Sequence, residues 1–255
     1  MSTDLHREAL FGFTLRLGDT SLVLGHRLSE WCGHAPELEE DIALTNVALD
    51  LVGHARMLLT YAGELEGKGR DEDRLAYRRD VFDYRNHLLA EQPNRDFGHT
   101  IVRQFLHDAW ALELYERLCA STDATLAGIA AKAVKEVRYH VRHSGDWLVR
   151  LGDGTDASHA KVADALGRLW PYTGEMFERD EAEQALVAAG IVPDPAELKA
   201  AWAARVEAVL EEATLERPAD GWMQKGGRRG EHSEHLGYLL AEMQFLPRAY
   251  PDATW

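Results

Sequence analysis

Four acidic residues interrupt apolar helical stripes along this chain, and they constrain its fold more than any other feature. Asp19, Asp50, Asp108 and Glu136 each have apolar or histidine neighbours at steps of three and four, which places each acid on the inward face of a helix. Asp19 and Asp50 are 31 positions apart, and Asp108 and Glu136 are 28 apart. This spacing predicts two antiparallel helix hairpins whose acids meet at one level of a four-helix bundle.

Carboxylates in this arrangement bind two iron ions when two of the four helices also carry a Glu-x-x-His pair. In this chain the two histidine positions are Gly53, in Asp50-x-x-Gly53, and Tyr139, in Glu136-x-x-Tyr139. We therefore expect no metal and no catalytic residue in the chain. The residues of this vestigial metal site are Asp19, Asp50, Gly53, Asp108, Glu136 and Tyr139.

A metal-binding alternative uses the two histidines that follow the acids by four positions. His54 and His140 would replace the missing ligands, although the extra position moves each imidazole about 100° around the helix axis. Helical residues four apart can chelate a metal, so this alternative stays open. Its full ligand set is Asp19, Asp50, His54, Asp108, Glu136 and His140.

Without a metal, carboxylates in a helical core need cations or hydrogen-bond donors, because an isolated buried charge is costly. We expect a network of ion pairs, in which Tyr139 also donates to a carboxylate. Four arginines lie within about one turn of the acids along the sequence and are the candidate charge partners. They are Arg16, Arg56, Arg103 and Arg138.

Helical periodicity extends over most of the chain, and no segment has the alternation of a strand. We expect an all-α, ferritin-like four-helix bundle with additional C-terminal helices, forming one domain over residues 1–255. The core bundle covers about 9–151, and the accessory helices and tail cover about 157–255. The predicted helices are 9–31, 37–66, 72–90, 98–121, 123–151, 157–180, 195–213 and 231–247.

Composition excludes several classes of protein. A net charge of −15 argues against nucleic-acid binding, which depends on cationic contacts with phosphate. We expect no membrane span, and the first eight residues lack the basic and then apolar order of a signal peptide, so we expect a cytoplasmic protein. With Cys32 and Cys119 alone, a disulfide framework is not expected, and both thiols are predicted to lie in or near the core.

One basic segment stands out in this acidic chain, at residues 225–230 (KGGRRG). Its glycine backbone and the side chains of Lys225, Arg228 and Arg229 form a possible anion or partner loop. The simpler interpretation is a solvated loop. A carrier of a CoA ligand that uses this loop is a further hypothesis.

Several long segments resemble the C subunit (PaaC) of the bacterial ring-1,2-phenylacetyl-CoA epoxidases, and the resemblance covers nearly the whole chain. In the first half they are residues 22–34 (LVLGHRLSEWCGH), 39–46 (EEDIALTN), 50–53 (DLVG) and 89–94 (LAEQPN). In the second half they are residues 135–140 (KEVRYH), 150–155 (RLGDGT), 232–244 (HSEHLGYLLAEMQ) and 248–255 (RAYPDATW).

This resemblance implies a scaffold paralogue of the catalytic A subunit within a multicomponent, NADPH-dependent monooxygenase of phenylacetate catabolism. It places the di-iron centre and the substrate phenylacetyl-CoA in the A subunit. A small B subunit completes the complex, together with a reductase that carries FAD and an iron-sulfur cluster. The chain itself would hold no cofactor. The alternative is a catalytically active di-iron oxygenase that uses the chain's own inward carboxylates.

Overall fold

The computed structural model describes residues 3–253, and every long element of regular structure in that range is an α-helix. No strand occurs within it. The chain divides into two compact units. Unit 1 comprises residues 1–93 and 225–255, and unit 2 comprises residues 94–224. That the chain acts as one domain stays a prediction.

Unit 1 is built on a hairpin of two long helices, α1 (Thr3–Ser29) and α2 (Leu38–Glu66). Helix α2 ends at Gly67, which has a φ of 70° and donates its N–H to the carbonyl of Gly63, because glycine adopts the left-handed conformation without strain. Three short helices complete the unit. They are α3 (Glu72–Tyr77), α9 (Glu234–Met243) and α10 (Phe245–Ala249).

Unit 2 is built on a second hairpin, formed by α4 (Phe97–Leu118) and α5 (Ala124–Gly152). Helix α4 lies at its centre and is buried on nearly every side. Asp96 and Asp123 cap the first turns of α4 and α5 with their side chains, which satisfies backbone N–H groups that have no partner inside the helix. The remaining helices are α6 (Asp156–Leu169), α7 (Glu181–Ala188) and α8 (Pro195–Glu212).

The predicted helix over 72–90 is wrong beyond its first two turns. Helix α3 stops at Tyr77, and after it only a short 3-10 turn forms, at Val81–Asp83. Asp80 and Asp83 form a reciprocal capping box around that turn. Because aspartate side chains of this kind satisfy backbone groups locally, they compete with a continuous helix. The residues that follow, 84–96, carry no long helix.

Two further helix predictions also need correction. The helix predicted over 157–180 ends at Leu169, because Pro171 lacks the N–H that would continue the ladder, and 3-10 turns follow at Trp170–Tyr172 and Gly174–Phe177. Helix α7 follows these turns and was not predicted. The helix predicted over 231–247 is interrupted at Gln244, which separates α9 from α10.

The two cysteines lie elsewhere than expected. Cys32 and Cys119 are both free thiols at the surface. Each follows the end of a long helix, at a position where the apolar stripe no longer faces the core. The prediction that they lie in or near the core is wrong.

Candidate functional site

Asp19, in the middle of α1, is a fully buried carboxylate whose partner is an arginine. Arg79 contacts it through two nitrogens: Nη1 lies 3.0 Å from Oδ2, and Nη2 donates to Oδ1. The backbone N–H of Arg85 donates to Oδ2 over 2.9 Å. Both carboxylate oxygens are therefore hydrogen-bonded within the protein, in a fork geometry typical of arginine.

Arg79 is itself held by the segment on either side of it. Its Nε donates to the carbonyl of Leu75 over 2.5 Å, and its Nη1 also donates to the carbonyl of Asp83 over 2.9 Å. Its guanidinium lies 4.3 Å from the centroid of the Tyr84 ring. Burial lowers the pKa of Arg79, but the Asp19 carboxylate outweighs that effect and raises it. The Arg79 guanidinium therefore stays charged in the core.

Asp108, in the middle of α4, is also buried, but its described contacts are of another kind. Gln104 Nε2 donates to Oδ1 over 2.6 Å. Ser144 Oγ, on α5, lies 3.0 Å from Oδ2 and 2.8 Å from the carbonyl of His140, so its single proton is shared. His107 Nδ1 is 3.5 Å from Oδ1. An amide and a hydroxyl group therefore donate to this carboxylate, where an arginine was expected.

The other two acids are less enclosed than the sequence pattern suggested. Asp50 on α2 and Glu136 on α5 are half-buried, and Gly53 is exposed. Tyr139 is 39% exposed, and its ring stacks on His143 with the centroids 5.9 Å apart. The expected hydrogen bond from Tyr139 to a buried carboxylate is therefore replaced by a ring contact at the surface.

Two of the four arginines proposed as charge partners point to the surface. Arg56 lies 3.4 Å from Glu72, and Arg138 donates to Glu116 over 2.9 Å. Arg138 follows Glu136 by two positions, which is about 200° around the helix axis. Arg56 and Arg138 were chosen because they are near the acids in sequence, but their side chains lie on other helix faces. Their assignment to the inward acids is wrong.

The other two proposed partners are buried. The Arg16 guanidinium lies 5.3 Å from the centroid of the Phe13 ring. Arg103 donates from Nη2 to Asn94 Oδ1 over 2.7 Å. Their roles as partners of the inward acids stay predictions.

His54 and His140, the ligands of the metal-binding alternative, are buried side chains. Within residues 3–253, no three His, Cys, Asp or Glu side chains are placed so that they could hold one metal ion together. A di-iron site would need Asp19 as a ligand, but Arg79 occupies both of its oxygens. The residues present therefore do not fit a carboxylate-bridged di-iron centre.

The basic segment at 225–230 has a defined backbone. It forms a 3-10 turn at Gly227–Arg229, and Gly226 has a φ of 141°, which only glycine adopts easily. Lys225 is exposed, Arg228 is half-buried, and Arg229 lies 3.3 Å from Glu231. Its role as an anion or partner loop stays a prediction.

Sequence reasoning missed Arg79, the residue that decides the chemistry of Asp19. The two residues are 60 positions apart, and Arg79 lies in a segment interpreted as a continuous helix. The one available signal was the Arg-Arg-Asp run at 78–80 after the apolar pair Leu75 and Ala76.

An exposed apolar stripe follows one face of α2. Leu38, Ile42 and Leu49 are 72%, 54% and 64% exposed. Helix α2 is long and apolar enough to cross a membrane by length and composition alone. The same would hold for a core helix, and ten of its residues are buried within the protein.

Comparison with known proteins relates this chain to one family over its whole length. A model of the family described as phenylacetic acid catabolic protein matches residues 1–255. The chain is 54% identical to the C subunit of the 1,2-phenylacetyl-CoA epoxidase of Escherichia coli (strain K12), over 96% of this chain and 99% of that protein.

A solved structure also resembles the chain, Protein 19 with aldehyde deformylating oxidase activity from Synechococcus. It has a TM-score of 0.57 and 20% identity, covering 84% of this chain and 93% of the other. The likeness concerns the fold, and it confirms the predicted all-α, ferritin-like class.

Proposed function

Because this chain belongs to the phenylacetic acid catabolic protein family, we propose that it is a non-catalytic scaffold subunit of a phenylacetyl-CoA epoxidase complex. In this role it pairs with a catalytic di-iron paralogue and stabilises it. The Escherichia coli relative is named as the C subunit of such an epoxidase, which implies a protein of several subunits.

The observation that carries this proposal is the ion pair between Asp19 and Arg79. An inward carboxylate of a di-iron bundle binds metal through its oxygens, and here both oxygens accept hydrogen bonds from the protein. Asp108 is likewise satisfied by Gln104 and Ser144. The acids at these two positions therefore support the structure of the helices and leave the chemistry to the partner.

We assign the remaining components to other chains of the complex. The iron belongs to the catalytic paralogue, and FAD, the iron-sulfur cluster and the NADPH site belong to a reductase. A small B subunit completes the assembly, which we place in the cytoplasm. These assignments rest on the resemblance of the sequence to the C subunits.

The exposed stripe of α2 is the surface that we assign to the catalytic paralogue. Leu38, Ile42 and Leu49 recur at steps of four and seven along one helix face. Exposed apolar side chains that recur along one helix face can form part of a protein interface. A paralogue with the same fold would present helices of similar length, so helix-on-helix packing is the geometry that we expect.

The test is to count iron in the chain and in its partner. The chain is expressed with iron supplementation, alone and together with the catalytic paralogue, and metal is measured in each purified subunit. We expect iron to follow the paralogue, with only traces in this chain. Near-stoichiometric iron in the chain purified alone would contradict the scaffold function and favour the di-iron oxygenase.

A variant separates the two functions further. In the complex, Glu136→Gln removes the carboxylate that a di-iron site in this chain would require, and the half-buried side chain keeps its shape. We expect the epoxidase turnover of the complex to be retained. Loss of turnover in a complex that still assembles would support catalysis by this chain.

A further inference from the structure

His232 is a buried imidazole placed between two acceptors. Its side chain is 1% exposed. Nδ1 lies 2.9 Å from Glu91 Oε2, and Nε2 lies 3.0 Å from the carbonyl oxygen of Tyr84. A neutral imidazole donates from one nitrogen only, whereas an imidazolium donates from both. Two acceptors on opposite sides of the ring therefore select the protonated form.

Glu91 strengthens this selection because its carboxylate is fully buried and surrounded by donors. Asn86 Nδ2 donates to Oε2 over 3.0 Å, and the backbone N–H of Ser233 donates to Oε1 over 2.7 Å. Both carboxylate oxygens therefore accept hydrogen bonds, and Oε2 is the acceptor that faces the ring. If His232 lost one of its two ring protons, a nitrogen lone pair would face an oxygen acceptor, either Glu91 Oε2 or the carbonyl of Tyr84.

The charges around this pair come from two parts of unit 1. From the segment after α3, Glu91 faces the ring directly, and Arg85 Nη1 donates to the same Tyr84 carbonyl over 2.6 Å. From α1, the Asp19 carboxylate acts at longer range. Arg27, also on α1, donates to the carbonyls of Glu91 and His235 and pairs with Glu30. The Arg27 guanidinium therefore contacts backbone oxygens and the Glu30 carboxylate. The ion-pair partner of His232 is Glu91.

The other contacts of the C-terminal segment, residues 231–249, are apolar burial, neutral hydrogen bonds and, near its end, an ion pair between Arg248 and Asp80 at 2.8 Å. Leu236, Leu239 and Leu240 are buried. Gln244 Nε2 lies 3.0 to 3.2 Å from Tyr84 Oη and from the carbonyls of Ala76 and Arg79. The contact between His232 and Glu91 is therefore the pH-dependent one near the start of this segment.

We propose that His232 and Glu91 form a pH-sensitive latch that fastens the C-terminal segment, residues 231–249, to the 84–91 segment of unit 1. In the protonated state the ring joins Glu91 to Tyr84, and the first turn of α9 is held beside them. On deprotonation one of the two ring hydrogen bonds is lost, and α9 opens more often. This proposal does not depend on the scaffold function.

The direction of the pH effect follows from the folded protein's preference for the charged ring. Burial lowers the pKa of His232, but Glu91 and the Tyr84 carbonyl outweigh it and raise the pKa above 6.5. The latch is therefore complete below the ordinary histidine pKa and is lost as the pH rises through the raised value. Each unit by which the pKa is raised corresponds to about a tenfold change in the opening equilibrium.

Hydrogen exchange measured by mass spectrometry tests the latch on the full chain. Protection of the α9 amides, corrected for intrinsic exchange rates, is followed from about pH 6 to about pH 9. This range covers the titration of a histidine whose pKa is raised above 6.5. We expect the protection of α9 to fall as the pH rises through the raised pKa of His232, with α1 and α2 keeping their protection. His232→Gln should be weakly protected at every pH, and Glu91→Gln should lose protection at lower pH than the natural chain.

His34→Gln is the matched control, because His34 is an exposed histidine of the same unit. It should keep the full pH response of α9. Protection of α9 that does not change with pH in the natural chain would overturn the proposal, and this result needs no variant to fold. An equal pH response in His232→Gln would also overturn it.

Discussion

At the scale of single residues, Asp19 shows how a carboxylate can stay in a helical core without a metal. Its ion pair with Arg79 is buried on both sides, with side-chain exposures of 0% and 3%. Buried ion pairs contribute little net stability over apolar residues of the same size, but removing one partner leaves an uncompensated charge. The pair therefore matters most for the position of the segment around Arg79.

Asp19→Asn should destabilise the protein by about 3–5 kcal/mol, because it leaves the Arg79 guanidinium buried without its counter-ion. The measurement is the free energy of unfolding in urea. The double variant Asp19→Leu/Arg79→Met, which removes both charges, should recover most of the loss. Asp164→Asn is the control, since it breaks an exposed pair with Arg168 and should leave the stability unchanged. An equal loss in Asp19→Asn and the control would contradict this prediction.

Glu113 should make unit 2 sensitive to acid. Burial raises the pKa of Glu113, but hydrogen bonds from Arg117 on α4 and Arg205 on α8 outweigh it and lower the pKa below 4.5. The stability contributed by the charged form is present above about pH 4.5 and lost as the pH falls through the lowered pKa. Thermal melting as a function of pH measures this, and Glu113→Gln should flatten the acid side of the curve. A curve of unchanged shape in the variant would count against the ion pair.

The sequence predicted the burial of Asp19 and Asp108 better than it predicted what these acids contact. Steps of three and four residues placed Asp19 and Asp108 on inward helix faces, and both are buried. Their partners depend on tertiary contacts, and Arg79 comes from a segment that periodicity alone assigned to a helix. Arg138 was chosen because it is near Glu136 in sequence, but two positions along a helix reach nearly the opposite face.

At the scale of elements, the contact between the ends of α5 and α8 depends on a glycine. A Cβ atom at Gly152 would lie 2.3 Å from the carbonyl oxygen of Ala213 and 2.9 Å from its Cβ. The Gly152 carbonyl also accepts a hydrogen bond from Thr214 Oγ1 over 3.3 Å and lies 2.8 Å from His159 Nδ1. No side chain fits at this position without moving the backbone.

Gly152→Ala should therefore destabilise the protein by about 1–3 kcal/mol, the usual cost of overpacking. Gly128→Ala is the matched control on the same helix, because an added Cβ there meets nothing within 4 Å. It should stabilise the protein by about 0.5–1 kcal/mol through helix propensity. Chemical denaturation of both variants measures the sign of each change in the free energy of unfolding. A stabilising effect of Gly152→Ala would contradict the close contact with Ala213.

Helix existence was predictable, but several helix ends were not. The long helices α1, α2, α4 and α5 follow uninterrupted apolar periodicity, which sequence patterns report well. Helix α3 ends early because the side chains of Asp80 and Asp83 satisfy a 3-10 turn. These side chains compete locally for backbone hydrogen bonds, and the spacing of apolar residues carries no information about that competition.

At the scale of the whole molecule, an apolar helix face coexists with a net charge of −15. Leu38, Ile42 and Leu49 expose apolar surface on α2, which favours association. The negative charge keeps copies of the chain apart at low ionic strength. Salt screens the charge repulsion between copies of the chain but does not weaken the burial of apolar surface. The balance between repulsion and apolar association therefore depends on ionic strength.

Without its partner, the chain should associate with itself, and more strongly as salt increases. Leu49→Glu should weaken this association by placing a charge at the C-terminal end of the α2 stripe. The control is Trp222→Glu, at an exposed residue of unit 2. Sedimentation velocity at micromolar concentration measures the distribution of species. A strictly monomeric chain at high salt would contradict the prediction.

The ion pair of Asp19 also bears on whether the site could be converted to metal binding. Histidines placed at 53 and 139 would restore the Glu-x-x-His spacing but would leave Asp19 bound to Arg79. Replacing Arg79 alone would strand a buried carboxylate and free the carbonyls of Leu75 and Asp83. Releasing Asp19 for iron therefore costs stability before that ligand is gained, which makes the present state of the site hard to reverse by single substitutions.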